Sequence, residues 1–184
     1  ALGFDKVLIE LRDDDSELLR PSASAGWEEG EEASSAVLDL ALISRLFEER
    51  FEIAGCYLVP REEAERRAGK SQAVYESIRN GRGPAAWNRH WLVVPLYHTD
   101  GTVRGVLWAD EPRSRRVPSE ESLQALRIFA NHAMEALAVA TQLRRQGVGP
   151  AEIGAIVGSL YLPWAFKWAV GPFIDVFASE RLGR

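Results

Sequence analysis

The stretch Trp91-Leu92-Val93-Val94-Pro95-Leu96-Tyr97-His98-Thr99-Asp100-Gly101-Thr102-Val103-Arg104-Gly105-Val106-Leu107-Trp108-Ala109 decides the fold of this 184-residue chain. Residues 91–97 form an apolar run of strand length. His98-Thr99-Asp100-Gly101 supplies a tight turn, because glycine tolerates positive φ, and residues 102–109 return as the partner strand. A hairpin is predicted. Pro112 and Pro118 then bracket a basic loop, Arg113 to Arg116, and Ser119 follows as an N-cap with Glu120 and Glu121 in the first helical turn. Leu123, Leu126, Phe129 or Ala130, Ala133, Leu137 and Ala140 recur at helical spacing, which predicts a long helix to about Arg145.

Toward the N-terminus, Val7, Ile9 and Leu11 alternate with Lys6, Leu8, Glu10 and Arg12, the pattern of a strand with one face on a core. Asp13-Asp14-Asp15-Ser16 reverses the chain, and Glu17 to Ala25 reads as a second strand ending at Gly26. Acidic residues Glu28, Glu29, Glu31 and Glu32 precede Ala33 to Phe47, where Val37, Leu40, Ala41, Ser44 and Phe47 predict an amphipathic helix. Cys56 to Val59 reads as a short strand stopped by Pro60, and Arg61 to Arg67 as one or two exposed helical turns. Residues 69–88 carry no readable pattern. The order strand, strand, helix, strand, irregular stretch, strand, strand, helix implies an α+β domain with a mostly antiparallel sheet flanked by helices.

The composition is globular, 46% hydrophobic and 27% charged, with 22 Lys+Arg against 27 Asp+Glu and a net charge of −5. A pI of 5.3 excludes the basic character expected where nucleic acid is the main partner. The one cysteine, Cys56, allows no internal disulfide and points to a reducing, cytoplasmic compartment. No secretory signal is readable, since Asp5, Glu10 and Arg12 interrupt the first apolar residues. With Ala1 first and a charged run last, the sequence reads as a fragment open at both ends.

The mean hydropathy of −0.17 hides a block. Between Ile153 and Ala178 the only charges are Lys167 and Asp175, among Trp164, Phe166, Trp168, Phe173 and Phe177. That length would span a membrane. Residues 146–184 are therefore expected to be an apolar helical tail able to contact a membrane, and residues 1–145 an acidic domain that carries all of the net charge.

The run from Trp91 to about Ala140, with Val93-Val94-Pro95-Leu96, Asp100-Gly101, Gly105-Val106-Leu107-Trp108-Ala109-Asp110, Pro112 and Leu126-Arg127-Ile128-Phe129-Ala130, resembles the C-terminal half of a GAF domain. The hairpin from Val7 to Gly26 resembles the first two strands of the same family, so the likeness covers most of residues 1–143, without the helix that usually precedes the first strand. It implies a non-catalytic sensory module. Such a module binds a small molecule between the sheet and a helical or loop lid, or forms a homodimer, and relays the change through its terminal helix. The signatures of three subtypes are missing. A bilin-attaching type carries Cys followed by His, but Cys56 is followed by Tyr57. The Asn-Lys…Phe…Asp-Glu pattern of the cyclic-nucleotide type is absent, and the methionine-sulfoxide-reducing type needs several cysteines. No cofactor is named by the sequence.

The tail resembles a different family. Gln146-Gly147-Val148-Gly149-Pro150, Leu162-Pro163-Trp164, Gly171-Pro172-Phe173-Ile174-Asp175 and Arg181-Leu182-Gly183-Arg184 are similar to the second transmembrane helix and following loop of major facilitator transporters. The motif residues would be Gly171, Asp175, Arg181, Gly183 and Arg184. One span transports nothing, because substrate sites lie between many helices. The alternative function is thus a transporter fragment carrying an unrelated, or artefactually fused, N-terminal part.

Candidate ligand-binding residues are Tyr57, Tyr75, Trp91, Trp108 and Cys56. With Trp27 and Trp87, the aromatics either line a pocket or fill the core, and Cys56 is either a reactive attachment thiol or a buried inert one. His90 and His98 lie too far apart on an extended chain to share a metal, His132 stands alone, and no metal site is expected. No Ser/His/Asp ordering is visible. Gly81-Arg82-Gly83-Pro84 is too short for a phosphate loop, and Arg113 to Arg116 reads as a solvated loop.

Overall fold

The structure is a computed structural model and describes residues 3–13, 16–27, 37–149, 151–152 and 154–155. The chain divides into two compact units, Ala1–Met134 and Glu135–Arg184. The acidic run from Glu28 to Glu32, most of the apolar tail, and the transporter-like Gly171, Asp175, Arg181, Gly183 and Arg184 lie outside the described residues. Among the described residues no helix is long and apolar enough to cross a membrane.

The first unit is built on a seven-stranded sheet. Its strands are β1 (Phe4–Arg12), β2 (Leu18–Ala25), β3 (Leu38–Asp39), β4 (Glu52–Ile53), β5 (Cys56–Val59), β6 (Trp91–Tyr97) and β7 (Val103–Pro112), in the order β3-β2-β1-β7-β6-β5-β4 with every neighbouring pair antiparallel. The predicted β6–β7 hairpin is present. Its turn closes with His98 N–H on the Thr102 carbonyl at 2.8 Å, Thr102 N–H on Asp100 Oδ1 at 2.8 Å, and Gly101 at φ +86°. Strand β7 runs three residues past the predicted end, because Lys6 and Phe4 of β1 pair with Asp110 and Pro112.

Both faces of the central strands are covered, which explains the unbroken apolar run in β6. On one face Leu123, Leu126 and Ala130 of α3 (Glu120–Arg145) pack on Leu92, Val94, Leu96, Leu107 and Cys56. Ala130, not Phe129, continues the buried stripe; Phe129 stays 42% exposed. Ser119 caps this helix through Ser122 N–H at 3.3 Å, and Arg127 Nη1 donates to the Pro95 carbonyl at 2.7 Å, tying helix to strand. Pro95 itself lies beyond the last residue of β6 paired to β5, Val93, so its missing N–H breaks no bond on that side. Burying each leucine of this stripe stabilises by about 2 kcal/mol.

The opposite face corrects two expectations. Lys6, Leu8 and Glu10, assigned to the outer side of β1, are all buried there, so β1 has two covered faces rather than one. Leu8 stands among Leu19, Leu38, Leu40, Ile43, Leu46, Val93 and Trp108. The second correction concerns the amphipathic helix from Ala33 to Phe47. Its described part pairs Leu38 with Leu19 as β3, turns into a four-residue helix, α1 (Leu40–Ile43), and ends in a 3-10 turn at Ser44–Leu46. Asp39 causes the change of conformation: its backbone is extended, and its side chain accepts Ala41 N–H at 2.8 Å as an N-cap. The buried residues are therefore Leu38, Leu40, Ile43 and Leu46, while Val37 is 45% exposed.

Helix α2 (Arg61–Ala68) follows Pro60, buries Ala64 and Ala68 on this second face, and stops at Gly69, whose φ is +94°. In the second unit the described residues complete α3 and close it. Gly147 takes φ +80°, Val148 N–H donates to the Leu143 carbonyl at 3.0 Å, and Gly147 N–H to that of Arg144 at 3.0 Å, the bonding of a Schellman cap.

Candidate functional site

Residues 69–90, of which 69–88 carry no readable pattern in the sequence, form an irregular segment held largely by hydrogen bonds to distant elements. Gln72 Oε1 accepts Asp39 N–H at 2.8 Å. Glu111 Oε1 accepts the N–H groups of Ile78 at 2.7 Å and Arg79 at 3.1 Å. Asp110 Oδ1 accepts Ser77 Oγ–H at 2.5 Å and Trp87 Nε1–H at 3.1 Å. Trp87 is fully buried, in the cluster that α3 covers. Gly81 lies so close to Arg115 that a Cβ would come within 2.0 Å of its carbonyl oxygen. Two consecutive acids at the end of β7 thus anchor the segment at Ser77–Arg79 and at Trp87, with Glu111 at φ +54°.

Between this segment and strands β1, β6 and β7 lies a cavity of about 30 Å³ lined by Lys6, Trp27, Val74, Tyr75, His90, Trp91, Leu92, Trp108, Ala109 and Asp110. Tyr75 and Trp91 also border a neighbouring cavity of about 60 Å³, with Arg61, Glu65, Lys70, Ala73, Glu76 and Arg89. Four of the charged residues around the second are paired: Arg61 with Glu65 at 2.6 Å and Glu76 at 2.7 Å, Arg89 with Glu76 at 2.9 Å. Each volume is an order of magnitude below the several hundred Å³ (roughly) of a drug-sized ligand site, so a ligand of that size requires side chains to move.

Two aromatic pairs frame the first cavity. Trp27 meets Tyr75 edge to face with centroids 6.3 Å apart, and Trp91 meets Trp108 likewise at 6.0 Å. Burial pushes the Asp110 carboxyl up to about 6 against the opposing effect of its hydrogen bonds, and holds His90 below the usual imidazole value. Four residues beyond Lys6 on the same face of β1, Glu10 is buried with Oε2 on Trp108 Nε1–H at 2.8 Å and Oε1 without a partner. Its pKa is raised to about 7 by burial, the Trp108 bond opposing.

Of the residues singled out in the sequence, Tyr75, Trp91 and Trp108 come together at this cavity, with Trp27 beside them. Tyr57 shares the same face of the sheet but stacks on Phe47 at 4.9 Å instead. Cys56 lies on the other face, under α3, with its Sγ–H on the Leu123 carbonyl at 3.3 Å and its pKa pushed up to about 11 by burial. A thiol so placed has little thiolate at neutral pH. Sequence reasoning missed Lys6, Glu10 and Asp110. The available signal was Leu8: an apolar residue on the supposed solvent face implies that its i±2 neighbours are covered too. Among the described residues no group of three His, Cys, Asp or Glu side chains is placed to hold a metal.

No family model matches the chain, and no curated protein matches it. Solved structures do. The GAF domain of an Acinetobacter phosphoenolpyruvate-protein phosphotransferase superposes with a TM-score of 0.51 at 19% identity, covering 76% of this chain and 75% of that one. Residues 122 to 287 of a methyl-accepting chemotaxis protein match at TM-score 0.49 and 19% identity, over 75% and 80% of the two chains. The second GAF domain of DevS from Mycobacterium smegmatis matches at 0.46 and 25%, over 78% and 87%. With the antiparallel sheet order and the α3 packing already described, the first of these likenesses gives the chain a GAF-like α+β fold.

Proposed function

We propose that this chain is a non-catalytic sensory domain that takes a small molecule into the cavity between the sheet and residues 69–90 and relays its occupancy through α3. The observation that carries the reading is the construction of that cavity: one wall is a rigid central sheet, and the other is an irregular segment hung on Asp110 and Glu111. A wall of this kind moves at lower cost than a strand or a packed helix, because it contributes few backbone ladder bonds. The GAF-like fold supports this reading by analogy with sensory modules of the same architecture. The α3 face bearing Ile128 and Phe129, both exposed, is the surface through which the domain would form a homodimer. In this reading the domain works in the cytoplasm, a compartment with which its single cysteine is compatible.

A thermal-shift screen of small molecules on the full chain tests the proposal. A compound at about one hundred times its Kd adds about 2.7 kcal/mol of stability, which for a chain of this size raises Tm by about 5 °C or more. Tyr75→Ala is expected to abolish that shift while the variant still unfolds cooperatively. A hit whose shift survives both Tyr75→Ala and Trp91→Ala contradicts the assigned site.

A further inference from the structure

The cage formed by Trp27 and Tyr75 already holds a cation, and the cation is the protein's own. Lys6 is only 8% exposed, with its Nζ 4.4 Å from the Tyr75 ring centroid and 5.1 Å from that of Trp27. The two rings stand at 78° to each other, so they present a corner of two π surfaces to one ammonium group. Asp110, directly opposite Lys6 in the β1–β7 register, lines the same cavity and adds negative charge there. Among the described lining residues, Lys6 and His90 are the only ones able to carry positive charge, and burial disfavours the charged form of His90. π faces and a carboxylate select positive charge.

We propose that this cavity is an organic-cation site, taking a small alkylammonium or quaternary ammonium ligand on the faces of Trp27 and Tyr75 once the Lys6 ammonium has swung out. The inference rests on the reading of this cavity as the domain's ligand site and names its ligand class. Lys6 is then a resident competitor. The space left beside it, about 30 Å³, admits little more than a water molecule, so the ligand and the Lys6 side chain occupy the cage in turn. The four-carbon lysine stem lets the head group leave without displacing β1, and the competition weakens binding by the fraction of time the cage is vacant.

Calorimetric titration of the full chain with n-butylammonium chloride and tetramethylammonium chloride, against sodium chloride at equal ionic strength, tests this. Lys6→Ala is expected to bind n-butylammonium about tenfold tighter than the wild type, and adding Trp27→Ala to that variant to remove the gain. Lys6→Met, whose neutral stem still fills the cage, is expected to show no gain. If circular dichroism shows Lys6→Ala unfolded, the wild-type titration decides: a saturable heat with tetramethylammonium beyond that of sodium chloride supports the site, and its absence overturns it. No response to either ammonium salt from a folded Lys6→Ala overturns it as well. Saturable binding of sodium butyrate that is lost in Lys6→Met overturns the cation class while leaving the sensory reading in place.

Discussion

Glu10→Gln is expected to lower stability at pH 4 by about 1 kcal/mol and to make the chain more stable than the wild type at pH 8 by about 2 kcal/mol. The Glu10 carboxyl has a folded pKa of about 7 against an ordinary 4.5, because it is buried with one oxygen unpartnered. As pH rises through 4.5 the unfolded chain releases this proton first, while the folded chain keeps it until about 7. The folded state therefore loses stability across that window, by about 3 kcal/mol in all, and regains it as pH falls. Glutamine keeps an oxygen for Trp108 Nε1–H and removes the titration, at a cost of about 1 kcal/mol for burying its amide N–H groups. Urea denaturation at pH 4, 6 and 8 reads the effect. Asp110, raised to about 6, contributes a loss of the same sign ending at lower pH in both proteins, so the difference between the two curves isolates Glu10. Parallel curves contradict the assignment.

Trp87→Ala is expected to cost about 4 kcal/mol and to lower Tm by about 10 °C. Trp87 is fully buried, and its Nε1–H is shared between Ser77 Oγ at 3.0 Å and Asp110 Oδ1 at 3.1 Å. Truncation leaves a void under α3 and withdraws a donor from a buried carboxylate. Trp87→Phe separates the two effects. It keeps a six-membered ring and loses the N–H together with part of the ring volume, so its expected cost is about 2 kcal/mol. Equal costs for the two variants would mean that the hydrogen bond, and not packing, dominates, and a cost below about 1 kcal/mol for alanine would remove Trp87 as the anchor of the segment.

What could be read in the sequence was what local chemistry specifies. The β6–β7 hairpin is written in Asp100-Gly101 and the apolar runs on either side, and α3 in Ser119 and the Leu123–Leu126–Ala130 spacing. These signals and the observed elements agree because turn, cap and stripe are set within a few residues. The helix expected from Ala33 to Phe47 failed because Asp39 can cap a helix as well as sit inside one, and the pairing of Leu38 with Leu19 decides between them. The two faces of β1 were misjudged for a similar reason: whether Lys6 and Glu10 face water depends on what covers Leu8, which comes from residues 38–46. Residues 69–88 were opaque because many of their partners lie on distant elements, among them the side chains of Asp110 and Glu111, 23 to 33 positions away. Three of the site's aromatics, Tyr75, Trp91 and Trp108, were nameable from side-chain type alone. The lysine in the cage was not: Leu8 signals that its neighbour Lys6 is covered, but nothing in a strand pattern shows that the ammonium meets the rings of Trp27 and Tyr75.

Native-state hydrogen exchange in low denaturant tests most directly whether the cavity opens over a sheet that stays folded. The N–H groups of Ile78, Arg79 and Gly81 are bonded to Glu111 and Trp87, outside any ladder. They are expected to exchange through a local opening with little dependence on denaturant, while the amides of β1, β6 and β7 exchange only by global unfolding. Exchange of residues 73–90 with the same rate-limiting free energy and the same denaturant slope as the central strands would contradict a movable wall, and with it the sensory reading of this site.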